Sequence, residues 1–218
     1  MTHSFAIAFA EPPLTHAVRF ALAPFDAFTG ARVTAGIDAR IDGLPDVPVR
    51  NRSGLLVFTN LPPQASYGYR MSAAKAGYFD PPAGSFAAND DPRIPVAVPL
   101  LRLPTSGYPD DATLLRGMVR RGAAAIEGAS VSVAFAPPVG GATPFVTRTD
   151  ATGSFAAALR LPLLAPGEKD APRGVAVTVT DAGGSRLYPG DVRAGRPHRF
   201  AAPLDLDSAA PPPPLVQI

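Results

Sequence analysis

Short runs of alternating apolar and polar residues, each cut off by proline or glycine, recur along the whole chain. Val18, Phe20 and Leu22 alternate with Arg19, Ala21 and Ala23 up to Pro24, which closes or bends the strand, and Val33, Ala35, Ile37, Ala39 and Ile41 alternate until Asp42-Gly43. Residues 55–60 follow Gly54, and Tyr67, Tyr69, Met71 and Ala73 alternate with Gly68, Arg70 and Ser72. Successive side chains of a strand point to opposite faces, so each run predicts a strand with one buried face. In Ile94–Leu100 the alternation is interrupted by Pro95 and Pro99. Proline cannot donate a ladder hydrogen bond, which places this run at a sheet edge or rim. The second half alternates in the same way, with a strand over Leu114–Gly122, a second with Val131, Val133 and Phe135 on one face, and a long inner strand over Val175, Val177 and Val179. Between these runs, residues 80–92 read as a loop, Gly183-Gly184 as a turn, and Tyr188-Pro189-Gly190 as the counterpart of Gly77-Tyr78.

One stretch organises the rest. Arg148–Pro162 reads as a strand end, a polar turn requiring a glycine at Gly153, and a strand carrying Phe155 that stops at Pro162. Arg50–Pro62 is an earlier copy, with Gly54 and Phe58 in the equivalent places and one residue fewer between glycine and proline. Gly153 and Gly54 supply the positive φ of the turn, and Phe155 and Phe58 point inward between two sheets. Asp26-Ala27-Phe28-Thr29-Gly30 is another such turn, with Gly30 as its positive-φ residue.

Within this pattern, 27 prolines and 20 glycines spread through 218 residues break helices and bound short strands. The expected fold class is therefore all-β: two tandem Ig-like or prealbumin-like β-sandwich domains with extended N- and C-terminal arms. The boundaries read as an arm or extra edge strand over 1–17, a first domain over 18–103, a linker over 104–112, a second domain over 113–207 and a proline-rich tail over 208–218. Phe5, Ile7 and Phe9 alternate in the N-terminal segment, which is either an added edge strand or an arm docking on a neighbouring subunit. The four consecutive prolines before Leu215 favour an extended tail whose apolar tip is either disordered or a docking peptide.

Leu115-Arg116-Gly117-Met118-Val119, Ile126-Glu127-Gly128-Ala129-Ser130-Val131 and Thr149-Asp150-Ala151-Thr152-Gly153-Ser154-Phe155 together resemble the carboxypeptidase regulatory-like domain, a prealbumin-like β-sandwich. Its pattern is a G-x-V strand, a G-A-x-V strand and a T-D-x-x-G-x-F turn, which assigns Gly117, Gly128, Gly153 and Phe155 structural turn and core roles. The first half is similar but more divergent, through Asp26–Gly30 and Ser53–Phe58. The resemblance implies a fold and no particular activity, because such sandwiches serve as accessory modules on very different proteins.

Charge and candidate chemistry narrow the function. Twenty basic residues against 18 acidic ones leave a net charge of +2, too little for a nucleic-acid footprint. The chain has no cysteine, which removes disulfides, thiolate metal sites and a cysteine nucleophile. No apolar run reaches the roughly 18 residues of a membrane span, and the start lacks a basic n-region, so the expected product is made in the cytoplasm without an export signal. His3, His16 and His198 show no metal-ligand spacing and read as scattered surface histidines. Asp38, Asp42 and Asp46, and separately Asp80, Asn89, Asp90 and Asp91, carry oxygen ligands suited to calcium but lack an EF-hand spacing and read as solvated turn residues. Tyr69-Arg70-Met71-Ser72 is an imperfect, interior echo of the terminal motif of prealbumin-like hydroxyisourate hydrolases. Tyr67, Tyr69, Tyr78 and Tyr108 could form a sugar-stacking platform, but Tyr67 and Tyr69 share the face predicted to be buried. The expectation is a non-enzyme without cofactor, metal, nucleic-acid or membrane partner, which binds other protein subunits within a large assembly. A surface carbohydrate-binding or adhesion module is the alternative.

Overall fold

The computed structural model describes residues 17–138, 143–160 and 171–218. They form two β-sandwiches in series. In the first, β1 (Val18–Asp26) lies between β4 (Leu56–Thr59) and β7 (Val96–Leu100), and β3 (Val49–Arg50) extends the sheet beyond β4. The facing sheet is β2 (Asp38–Ile41), β5 (Ser66–Ser72) and β6 (Gly84–Ala87). In the second sandwich, β8 (Thr113–Arg121) lies between β12 (Ser154–Leu159) and β15 (Pro197–Phe200), with β9 (Ala124–Ala125), β16 (Leu204–Asp205) and β17 (Leu215–Gln217) attached. The facing sheet runs β11 (Phe145–Arg148), β10 (Ser130–Phe135), β13 (Arg173–Asp181) and β14 (Gly184–Val192). Among the described residues no helix is long and apolar enough to cross a membrane.

The two halves repeat one plan. Each opening strand pairs antiparallel with the strand after the glycine turn (β1 with β4, β8 with β12) and parallel with a late strand (β1 with β7, β8 with β15). Each facing sheet is built on a middle strand flanked by an earlier strand and its own hairpin partner: β2-β5-β6 and β10-β13-β14. The alternating residues supply the interiors. Phe20 stacks against Phe58 at 4.8 Å and Phe86 at 4.6 Å between ring centres, over Tyr67, Tyr69 and Met71. The second core gathers Leu115, Val131, Val177, Val179, Phe155 and Tyr188, with Phe200 set edge-on to Tyr188 at 6.4 Å. Thr149 is a buried polar residue beside this core: its Oγ1 accepts the Ala129 N–H at 2.9 Å and donates to the Ile126 carbonyl at 2.6 Å. Thr149→Val keeps the shape and orphans both partners, so it is expected to lower unfolding free energy in urea by about 1–3 kcal/mol.

Several segments settle or depart from the sequence expectation. Of the two readings of Pro24, as closing or bending the first strand, closure is excluded, because the strand continues to Asp26. Pairing with β4 has ended at Leu22, so nothing on that side needs the missing N–H, and the Pro24 carbonyl accepts the Val33 N–H at 3.0 Å. The expected strand over 33–41 shrinks to Asp38–Ile41, because Gly36 turns the chain at φ +69°. Two strands, β6 and β14, occupy segments read as loop and turns. Both are outer hairpin partners, paired on one side only, and can carry Gly, Ser and Pro where a central strand needs bulky residues. The tail returns to its own sandwich, where β17 pairs with β15 and Leu215 packs against the second core.

Candidate functional site at the junction of the two sandwiches

A network of buried and half-buried polar groups lies where the sandwiches meet. β1 ends at Asp26, which is 1% exposed. Its Oδ1 accepts the N–H groups of Phe28 at 2.8 Å and Thr29 at 2.7 Å, closing the turn that Gly30 completes at φ +74°. Its Oδ2 accepts the Tyr78 hydroxyl at 2.9 Å and Arg102 Nε at 2.5 Å. Arg102, just past β7, lies against the rings of Tyr78 at 6.0 Å and Tyr108 at 5.5 Å, and its Nη1 donates to the Gly107 carbonyl. The Tyr108 ring is also met by Arg116 of β8, at 5.8 Å, which donates to the Pro104 carbonyl. Tyrosine and arginine thus alternate from the end of the first sandwich, through the linker, into the second.

Two more arginines close the junction from the second sandwich. Arg148 of β11 covers the Phe79 ring at 4.7 Å and donates to the Asp80 carbonyl. Arg160, after β12, lies 5.8 Å from the Phe28 ring and donates to the Phe28 carbonyl. Between them the outward residues Leu114, Ala156 and Ala158 are buried under Phe28 and Tyr108. This explains why β12 is buried on both faces, whereas a strand with one solvated face would alternate. A cleft of about 270 Å³ beside the contact is lined mainly by Phe28, Leu101, Phe135, Phe145, Leu159 and Arg160.

The electrostatics are those of a lock. Burial pushes the Asp26 carboxyl up, but the Thr29 N–H, the Tyr78 hydroxyl and the Arg102 charge and hydrogen bond outweigh it and hold the group below the ordinary carboxylate range. Burial, then the hydrogen bond and charge of Asp26, push the Tyr78 phenol up to about 12. Burial likewise raises Tyr108 to about 12 against the pull of Arg116 and Arg102. A carboxylate already accepting four donors is saturated, and phenols held neutral through the physiological range serve as donors and ring platforms.

Of the residues singled out in the sequence, Gly30, Tyr78 and Tyr108 meet at this junction, the tyrosines as donor and ring platforms, whereas the other turn and core residues lie elsewhere. Gly54, Gly128 and Gly153 have φ of +79°, +73° and +75°. Gly117 is needed for space, because a Cβ there would sit 2.5 Å from the Phe155 ring. Phe58 and Phe155, each 1% exposed, lie in separate cores. The acidic groups are engaged locally: Asp80 Oδ1 accepts the Ala73 N–H at 2.6 Å, Asp90 accepts the Ala87 N–H at 3.0 Å, and Asp42 and Asp91 pair with Arg70 and Arg93. Among the described residues no three His, Asp or Glu side chains gather as a metal site would. His3 and His16 lie outside the described residues. His198 corrects the surface-histidine reading: it is 3% exposed, its Nε2 accepts the Arg193 N–H at 3.1 Å, and burial lowers its pKa. His198 shares the inward face of β15 with Phe200, two residues on, as a period of two requires, and its backbone is paired between β8 and β17.

No protein-family model matches the chain, and no curated protein matches it. Among solved structures the chain is similar to the Bacillus anthracis TIE protein, at 12% identity over 80% of this chain and 31% of that one, with a TM-score of 0.30. It is also similar to a Streptococcal ancillary pilin, at 15% identity over 78% of this chain and 57% of that one, with a TM-score of 0.26. The chain therefore spans less than two thirds of the length of either.

Proposed function

We propose that this chain is a non-enzymatic structural adaptor that binds other protein subunits through its sandwich surfaces and strand edges, within a large assembly such as a phage virion or a contractile injection particle. Its two sandwich modules, 18–103 and 113–207, act as one unit. The junction carries the reading: Asp26, Arg102, Tyr78, Tyr108 and Arg116 spend their buried polar capacity on locking one sandwich to the other. A locked pair keeps surfaces on both halves in register for a neighbour, as a structural component requires. Exposed apolar residues, Val49 on the edge strand β3 at 61% and Val47 just before it at 80%, offer contact area for such neighbours. The resemblance to carboxypeptidase regulatory-like modules fits an accessory role. The carbohydrate alternative fares worse, because all five tyrosines are buried or half-buried.

Two measurements test this. Spin labels on cysteines replacing the exposed Arg52 and Ala182, in a chain otherwise free of cysteine, are expected to give a narrow distance distribution that broadens in Arg102→Ala; a broad wild-type distribution would remove the lock. Purification of the untagged protein from its native source is expected to bring down sheath, tail or other particle subunits. Recovery as a lone chain from culture medium would overturn the assembly reading.

A further inference from the structure

The last strand is held in a way that suits exchange between copies. Its seat is specific: Phe200 faces Leu215, Arg199 faces Val216 and His198 faces Gln217 in antiparallel register. The Ala201 N–H bonds the Pro214 carbonyl at 2.9 Å, and the Ile218 N–H bonds the Pro197 carbonyl at 3.0 Å. Leu215 rests over Gly190 of β14, where an added Cβ would stand 3.1 Å from the Leu215 Cβ and Cδ2. The glycine makes the notch that the leucine fills. Upstream, Arg186 pins the chain by donating to the carbonyls of Asp205 at 2.7 Å, Ser208, and Ala210 at 3.0 Å.

Between the pin at Ala210 and the seat beginning at Pro214 run Pro211, Pro212 and Pro213. These residues have no N–H to donate, and Pro211 and Pro212 are exposed. Such a connector is a stiff extended spacer of about 3 Å per residue. The seat therefore recognises a short strand of defined sequence, joined to the pin by a rod whose prolines donate no hydrogen bond of their own.

We propose that residues 211–218 exchange between two copies of this chain, the strand of each filling the β15 seat of the other. All contacts of the seat are the same in either arrangement, which makes swapping a low-cost route to a dimer. Closure within one copy is favoured by an effective concentration on the order of millimolar, so exchange belongs to crowded copies. In that respect alone the inference rests on the adaptor reading, and it names a second copy as one partner.

Deleting Pro211–Pro213 from the full chain separates the two arrangements, because Ala210 and Pro214 are then too close for the strand to reach its own seat while the pin holds. Sedimentation velocity is expected to show the mass doubled, at a concentration at least about tenfold below that at which the wild-type chain dimerises. Adding Leu215→Asp to the deletion is expected to abolish the dimer. A deletion variant that sediments as wild type, or a dimer that survives Leu215→Asp, would overturn the proposal. Should the deletion unfold the chain, wild-type protein concentrated to about 1 mM and then diluted is expected to show a slowly decaying dimer that Gly190→Val lacks; no such species, or the same one in both, overturns it equally. A monomeric result leaves co-purification of other subunits untouched, so the two readings fail separately.

Discussion

Asp26→Ala is expected to lower the unfolding free energy by about 3–5 kcal/mol, the range for removing one partner of a buried, hydrogen-bonded ion pair. The substitution strips four donors of their acceptor at once: two turn amides, the Tyr78 hydroxyl and the Arg102 guanidinium. Arg102 is 20% exposed at its side chain and can recover some hydration, whereas Asp26 itself is almost wholly enclosed. Asp26→Asn keeps the shape and an amide oxygen for the turn but discards the charge, and should lie between alanine and wild type. Urea denaturation at neutral pH measures both. A wild-type midpoint in Asp26→Ala would mean that the junction is ornamental and the sandwiches stand without it.

The same network sets the pH response at both ends of the scale. Asp26 is held below the ordinary carboxylate value, so its contribution is present above that value and is lost as pH falls through the lowered one. Mild acid should therefore leave the junction intact. Tyr78 and Tyr108, each raised to about 12, behave oppositely: the fold favours the neutral phenol, so their contribution is complete below the ordinary tyrosine value near 10 and is lost between there and about 12. The urea midpoint is expected to fall over that alkaline window, and Tyr78→Phe to flatten part of the fall. Equal slopes in Tyr78→Phe and wild type would remove Tyr78 from the lock.

How much of this was legible in the chain follows from where each residue finds its partners. Phe20, Phe58, Tyr67, Tyr69, Val177 and Phe155 face a sheet across a shared interior, and burial on one side writes itself into the sequence as alternation. The all-β class and the paired sandwiches follow from that period and from the proline and glycine stops. β6 and β14 were illegible because a hairpin partner at the edge need not be bulky: Gly84-Ser85-Phe86-Ala87 contains a single large residue, and it happens to stack on Phe20. The junction was less legible still. Asp26 reads as a turn residue, which it is, and only the folded chain brings Tyr78 and Arg102 to its second oxygen from 52 and 76 residues away. Ala156 and Ala158 were similarly silent, since alanine fits a solvated face or a tight contact equally well.

The second large effect concerns the turn that organises the sequence. Gly153 has φ +75°, and a Cβ there would stand 2.4 Å from the Val119 carbonyl oxygen. That oxygen accepts the Ile126 N–H at 3.1 Å, and the Val119 N–H in turn donates to the Gly153 carbonyl at 2.8 Å. Relief would thus require backbone to move where β8, the turn and the loop before β10 are stitched together. Gly153→Ala is expected to cost about 3 kcal/mol or more, about 1 from the left-handed backbone and the remainder from the collision and the hydrogen bonds it disturbs. Gly128→Ala is the internal control: its φ is nearly the same at +73°, but no atom lies within 4 Å of the new Cβ. It should show the backbone contribution alone, about 1 kcal/mol. At Gly54, φ +79°, a Cβ would meet Thr34 Cγ2 at 2.8 Å and Arg32 Cγ at 2.9 Å, side-chain carbons that yield more readily than a backbone carbonyl, so Gly54→Ala should fall between the two. The order Gly153, Gly54, Gly128 in urea midpoints separates crowding by backbone from crowding by side chain. If all three variants lost the same amount, positive φ alone would account for the glycines, and the close approach at Gly153 would carry no weight.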